Sequence, residues 1–236
     1  AGNATLGTGA FTQGTIASTC SRNAAAGFSI VKYTGNATAG ATVGHGLSNA
    51  PEMILVKKLT AAQDWVVYDV SSGNNKAVSL NTDDAAESPS QHWNTTTPTS
   101  TVFSLGGHQK VNNTSTDYIA YCFHSVDGYS KVGSYTGNGN ADGPFVWTGF
   151  RPAFVLIKST SHTGWWPMTS NKILGYNPDN NESYANDTQN EATSDSLDYY
   201  ANGFKLRRTS TEDNGSSRTY IYIAFAETPF KYANAR

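Results

Sequence analysis

Nucleophilic hydrolysis needs a serine or cysteine beside a base, and a third group that orients the base. The five histidines, His45, His92, His108, His124 and His162, stand beside no Gly-x-Ser-x-Gly turn. Zinc would require paired histidines or cysteines at ligand spacing, and neither His-x-x-x-His nor a cysteine pair occurs. Two carboxylates could cleave a glycosidic bond, because their separation is set in three dimensions. The acidic residues, however, fall in polar stretches, at Asp83, Asp84, Glu87, Asp179, Glu182, Asp187 and Glu191, where solvated loop charges are the simpler reading. Asn177–Glu182 is rich in oxygen donors that could hold calcium. It does not follow an EF-hand, and Asn and Asp favour turns for their own reason, bonding to their own backbone. No catalytic residue, metal or cofactor is assigned.

The aromatic residues offer binding chemistry instead. There are five tryptophans, Trp65, Trp93, Trp147, Trp165 and Trp166. A sugar can stack its C–H face on an indole while amides and carboxylates take its hydroxyls, the usual division between apolar surface and a few placed polar groups. Trp93 sits in Gln91-His92-Trp93-Asn94. Trp166 follows Trp165 on an expected strand, so the two rings should point to opposite faces. The candidate ligand residues are therefore Trp93, Trp166, His92, Asn94, Asp179 and Glu182. Core packing remains the simpler role for each tryptophan taken singly.

These residues sit on a duplicated frame. Gly27-Phe28-Ser29-Ile30-Val31-Lys32-Tyr33-Thr34-Gly35-Asn36 recurs as Gly128-Tyr129-Ser130-Lys131-Val132-Gly133-Ser134-Tyr135-Thr136-Gly137-Asn138. Ala50–Lys57 recurs as Arg151–Lys158, Val102–Leu105 as Gly203–Leu206, Tyr118–Phe123 as Tyr220–Phe225, and Trp65 is matched with Trp165. The matches are collinear, which chance would not produce. A lead-in at 1–26 thus precedes unit one at 27–127 and unit two at 128–236. Each unit has the size of one β-sandwich. Either each forms its own sandwich or the two interleave. The connection His124–Gly128 is too short for a flexible linker, so the units should pack against each other.

Short clusters of Val, Ile, Tyr and Phe bounded by Gly, Asn, Asp or Pro predict strands at 28–33, 53–58, 65–68, 77–80, 102–105 and 117–123. Counterparts fall at 129–135, 154–159, 165–168, 194–199, 203–206 and 218–226. The expected class is all-β, with two tandem antiparallel sandwich units. Asn74–Lys76, Asn112–Asp117 and Asp213–Ser217 read as turns. A helical turn is expected near Asp83–Glu87. The long polar stretches Thr82–Pro98 and Leu174–Asp195 do not match between units, which marks them for function.

A net charge of −2 with no basic stripe argues against a nucleic-acid partner. No run of 18 apolar residues predicts a membrane helix. The N-terminus lacks the pattern of a signal peptide and reads as a processed end or the start of a fragment. Cys122 lies in the apolar run Tyr118–Phe123 and packs there as a small hydrophobe. Free thiols are preferred over a Cys20–Cys122 bridge. Eight Asn-x-Ser/Thr sequons occur, at Asn3, Asn36, Asn94, Asn112, Asn113, Asn181, Asn186 and Asn214, as expected by chance in a chain this rich in those residues.

Gly27–Asn36, His45-Gly46-Leu47, the block Val132–Lys158 and the ending Ala224–Tyr232 resemble a domain of unknown function. It lies near the C-terminus of large structural proteins of marine tailed bacteriophages and cyanophages. The resemblance covers nearly the whole chain from Gly27, and Gly7–Asn23 looks like its lead-in. It supplies no catalytic residues. It implies a non-enzymatic virion module, in a tail fibre or another appendage, that assembles as a homotrimer or larger. Such a module would meet other virion proteins and could contact host-surface glycans. Capsid decoration or filament formation, and polysaccharide depolymerisation, are the alternatives.

Overall fold

A computed structural model of the chain describes residues 9–87, 91–164, 166–170 and 177–228. The chain divides into two compact units, Ala1–Ser79 with Ala86–His124, and Leu80–Ala85 with Ser125–Arg236. The lead-in therefore belongs to the first unit and supplies strands to it. A six-residue piece of the first repeat, Leu80–Ala85, belongs to the second unit.

The first unit holds β1 (Gly9–Phe11), β2 (Ser18–Asn23), β3 (Phe28–Thr34), β4 (Ala41–Gly44), β5 (Met53–Lys58), β6 (Val66–Asp69), β7 (Val78–Ser79), β8 (Val102–Leu105) and β9 (Asp117–Phe123). One sheet runs β1-β2-β3-β9-β5-β6-β7 and β4-β8 forms a second, with all strand pairs antiparallel. The second unit holds β10 (Ser130–Thr136), β11 (Phe145–Trp147), β12 (Pro152–Ser159), β13 (Pro167–Ser170), β14 (Asp179–Tyr184), β15 (Ala192–Tyr200), β16 (Gly203–Leu206) and β17 (Thr219–Ala226). These form one antiparallel sheet, β10-β17-β12-β13-β14-β15-β16-β11. No helix forms at Asp83–Glu87; Glu87 instead bridges to Ala77. Among the described residues the one α-helical turn, α1 (Gln109–Asn112), is capped by the His108 side chain.

The duplication extends to individual bonds. Tyr33 and Tyr118 stack at 5.3 Å and 14°, as Tyr135 and Tyr220 do at 5.2 Å and 16°. Phe103 meets Tyr33 edge-on at 6.2 Å, and Phe204 meets Tyr135 at 6.3 Å. The phenol of Tyr33 donates to Val111 O at 2.7 Å, and that of Tyr135 to Asp213 O at 2.6 Å. Asn112 Oδ1 accepts from Asn36 N, while its amide donates to Thr38 O and Gly106 O. Asn214 does the same with Asn138 N, Asn140 O and Arg208 O. Both asparagines are wholly buried, so the sequons that begin at them have their amides committed to the fold.

Lys57 reaches over Trp65 at 5.8 Å and Lys158 over Trp166 at 5.9 Å. The structural partner of Trp65 is thus Trp166; Trp165, the match expected from sequence, lies outside the described residues. Cys20 and Cys122 are free and buried, and burial pushes both thiols up.

One core exchange separates the units. Val31 faces Ala120 across β3 and β9, whereas Gly133 faces Tyr222 across β10 and β17. A Cβ on Gly133 would lie 2.8 Å from the Tyr222 hydroxyl. Volume has moved from one strand to its neighbour. Gly133→Val alone should destabilise the protein by about 1–3 kcal/mol through overpacking, and Tyr222→Ala alone by about 3–5 kcal/mol. The double variant should be more stable than the sum predicts, by about 1 kcal/mol or more. Urea denaturation of all three checks this, and strict additivity would count against it. Asn214→Ala should cost about 1–3 kcal/mol by the same measurement, because it strands three backbone groups.

Candidate functional site

The six residues proposed from sequence do not make an open site. His92, Trp93 and Asn94 lie in the first unit. Trp93 is 1% exposed and packs edge-on against Tyr68 at 5.7 Å, inside the core. His92 is buried between Trp93 and His108, whose ring centroid lies 4.1 Å away. Asn94 is exposed, in a left-handed turn at φ 50°. Trp166, Asp179 and Glu182 lie in the second unit. Trp166 is also 1% exposed, so the expectation of an outward indole fails for both rings. It precedes β13 rather than lying in it, so strand alternation does not govern where its ring points. Asp179 begins β14, where it pairs with Leu197.

Glu182 is buried in an ion cluster. Arg208 Nη1 donates to Glu182 Oε1 at 2.6 Å and Arg208 Nε to Asp213 Oδ2 at 2.8 Å; the Tyr184 hydroxyl also donates to Glu182. Two carboxylates thus share one guanidinium. Burial pushes Asp213 up to about 7 against the pull of Arg208, as expected where negative groups outnumber positive ones in low dielectric. Both carboxylates are 1% exposed, so the cluster braces the Arg208–Asn214 loop and presents no open acid pair to a substrate.

Exposed aromatic surface lies elsewhere, on the outer face at one end of the second unit's sheet. Trp147 is 60% exposed, Phe145 46% and Tyr200 41%. Strand alternation puts Phe145 and Trp147 outward and Val146 into the core. Gly203 pairs with Trp147 on one side and Tyr200 on the other. Having no side chain, it leaves a dent between the two rings. Phe145 fills part of it: its Cζ lies 2.8 Å from where a Gly203 Cβ would be, and its ring meets Tyr200 edge-on at 5.8 Å. Polar groups rim the patch. Arg207 Nε lies 3.4 Å from Asp198 Oδ2, Tyr200 donates to the same oxygen at 3.2 Å, and Lys205 pairs with Asp142. At the Trp147 end a groove of about 260 Å³ opens, lined by Asp127, Ser130, Lys131, Trp147, Thr148 and Gly149 among others.

Among the described residues the first unit has no such aromatic patch. The strand register aligns Phe145 with Thr42 and Trp147 with Gly44. There the lead-in lies directly on the strand: a Cβ on Gly44 would come 2.6 Å from Gln13 O. Sequence reasoning passed over Trp147 because its short strand carries no repeated phrase. The usable signal was an aromatic pair, Phe145 and Trp147, two residues apart in a segment whose first-unit counterpart has small residues.

His92 gives a solution test. Burial, with His108 and Lys110 nearby, outweighs the half-exposed Glu87 carboxylate 3.8 Å from Nδ1 and lowers the imidazole to about 3, against roughly 6.5 in the unfolded chain. The unfolded state takes up the proton first as pH falls. His92 therefore supports stability above pH 6.5 and loses that contribution as pH drops toward 3, at about 1.4 kcal/mol per pH unit. The stability gap between wild type and His92→Gln should narrow from pH 7 to pH 4 in chemical denaturation. Parallel pH profiles would show that His92 is not held neutral.

No curated protein and no solved structure matches the chain. One family model does match, and it runs without division over residues 2–229, through the lead-in and both units. The chain therefore belongs to the family described as a domain of unknown function, DUF7483.

Proposed function

We propose that this protein is a non-enzymatic binding and assembly module of a bacteriophage appendage, such as a tail fibre, that oligomerises and contacts host-surface glycans through its second unit. The observation that carries the contact reading is the aromatic patch of Phe145, Trp147 and Tyr200. Exposed apolar surface with a polar rim marks interaction sites. Flat rings beside carboxylates, guanidinium and hydroxyls suit a pyranose, which has apolar faces and a polar circumference. The phage setting comes from the sequence resemblance, which also supports self-association, most simply as a trimer, and contact with other virion proteins.

Depolymerisation is the less favoured reading because the acid pair Glu182 and Asp213 is enclosed and tied to Arg208. Stable stacking also needs no reacting group. A purely structural role, in capsid decoration or filament formation, would leave the patch as a protein–protein contact.

A glycan array probed with the intact chain should show binding to a subset of bacterial surface polysaccharides. Trp147→Ala should lose at least tenfold in affinity, about 1.4 kcal/mol, as expected for a central aromatic anchor. Phe145→Ala and Tyr200→Ala should each lose less. Absence of binding across the array, or binding that Trp147→Ala leaves unchanged, would reject glycan contact at this patch.

A further inference from the structure

The aromatic patch of the second unit runs on into the groove beside it, and Trp147 belongs to both. The strand register sets the outer face in two rows. One is Trp147, Gly203, Tyr200, and the other is Phe145, Lys205, Asp198. Trp147 and Tyr200 stand on the strands that flank β16, about 10 Å apart at twice the strand spacing. Between them lies only Gly203, over which Phe145 leans. β11 is the last strand of its sheet, and the groove that Trp147 also lines includes no residue of β16. The indole leans toward that groove: its Cη2 and Cζ2 lie 3.2 Å from where a Cβ on Gly149, another lining residue, would be.

The backbone along the groove is already engaged. Ser130 N and O both pair with Val126, and Val132 N bonds Ser125 Oγ. What the groove presents is side chains. Asp127 is exposed and Lys131 half-buried, and neither is tied up in an ion pair among the described residues. On the patch side Lys205 pairs with Asp142 and Arg207 with Asp198. Cations and carboxylates therefore balance from the groove to the far side of the patch, and no field of one sign runs along it. The groove, at about 260 Å³, falls below the roughly 300 Å³ at which pockets begin to enclose a drug-sized ligand. It has room for a single sugar, not for a chain.

Resting on the reading that the patch contacts a glycan, we propose that patch and groove form one track for an internal stretch of a neutral, linear polysaccharide. One sugar stacks on Trp147. The chain runs over the patch past Tyr200 in one direction, and its hydroxyls meet Asp127 and Lys131 in the other. Length argues for a chain: a terminal sugar would use the groove or the patch, while Trp147 joins the two. Charge argues for a neutral one: a polyuronate would bring a row of carboxylates past Asp127, Asp142 and Asp198, while hydroxyls suit both signs. The first unit shows that an extended chain fits the equivalent ground. There its own polypeptide covers it, with Gln13 O against Gly44 and Arg22 Nη1 donating to Gly46 O at 2.6 Å. The counterparts of these two glycines are Trp147 and Gly149.

The test is calorimetric titration of the full chain with linear glucan and mannan fragments, from single sugars to hexasaccharides, and with oligogalacturonates of matching length. At least one neutral series should bind, with affinity rising roughly tenfold from disaccharide to hexasaccharide. The acidic series should bind more weakly at every length. Asp127→Asn and Tyr200→Ala, at opposite ends of the track, should each cost the hexasaccharide roughly threefold to tenfold. A disaccharide spans one end only and should respond to one of the two at most. Both residues are exposed, so these variants keep the fold, and a disaccharide that still binds confirms it in the same titration. The track is overturned if affinity does not grow with length, if the acidic series binds as tightly as the neutral ones, or if Asp127→Asn leaves the hexasaccharide unchanged. It is also overturned if no neutral fragment binds at millimolar concentration. Glycan contact at the patch fails separately: it stands if the array shows a ligand that Trp147→Ala loses, whatever the length series gives.

Discussion

Each unit depends on one buried asparagine. Asn112 and Asn214 sit where the chain turns into the last strand, and each binds three backbone groups of loops more than 70 and about six residues away in sequence. Buried backbone polar groups that find no partner are costly. A loop that crosses the end of a sandwich has no ladder to satisfy it. One amide, able to accept once and donate twice, does this for two loops at once. The stacked tyrosine pairs lie beside it, and their hydroxyls take further loop carbonyls. This polar knot leaves little freedom in how the loops approach the core, which explains why it is repeated in both units while the surfaces are not.

On that frame the two units diverge at their edges. The first spends its lead-in on covering two strand edges, and on β4 the backbone of Gln13 comes so close to Gly44 that a side chain there would collide with it. Among the described residues the second has no counterpart of β2, and it carries Phe145, Trp147 and Lys131 on the equivalent side. Small residues are needed where backbone lies on backbone, and large ones become possible where it does not. The chemistry of the second unit's surface is thus a consequence of what its frame does not have to accommodate.

The strands rich in β-branched and aromatic residues were legible because burial on a pleated surface selects those types. β2, β4, β11 and β14 were not. Ser18-Thr19-Cys20-Ser21-Arg22-Asn23 and Asp179-Asn180-Asn181-Glu182-Ser183-Tyr184 read as loops by composition, and only tertiary pairing makes them strands. The candidate site was misread for a related reason. Trp93 stands in a polar segment that left both stacking and packing open, and the loop that carries it folds down over the core, with Gly106 N bonding to His92 O. Trp166 looked like half of an alternating pair, but the strand begins after it. The duplication itself was legible from collinear phrases; the one-residue slip that pairs Trp65 with Trp166 became visible only through the two lysines.

Leu80–Ala85 belongs to the second unit although its sequence lies within the first repeat. Lys158, fully buried and lowered by that burial to about 8, donates to Asp83 O at 3.1 Å, and Gly164 N donates to the same oxygen. One cut near residue 127 therefore separates Leu80–Ala85 from the unit it packs with. A fragment beginning there would leave the Gly164 amide without its acceptor and the Lys158 ammonium with the Gly164 carbonyl alone of the two it now uses. The boundary of the repeat is thus not the boundary of the compact unit.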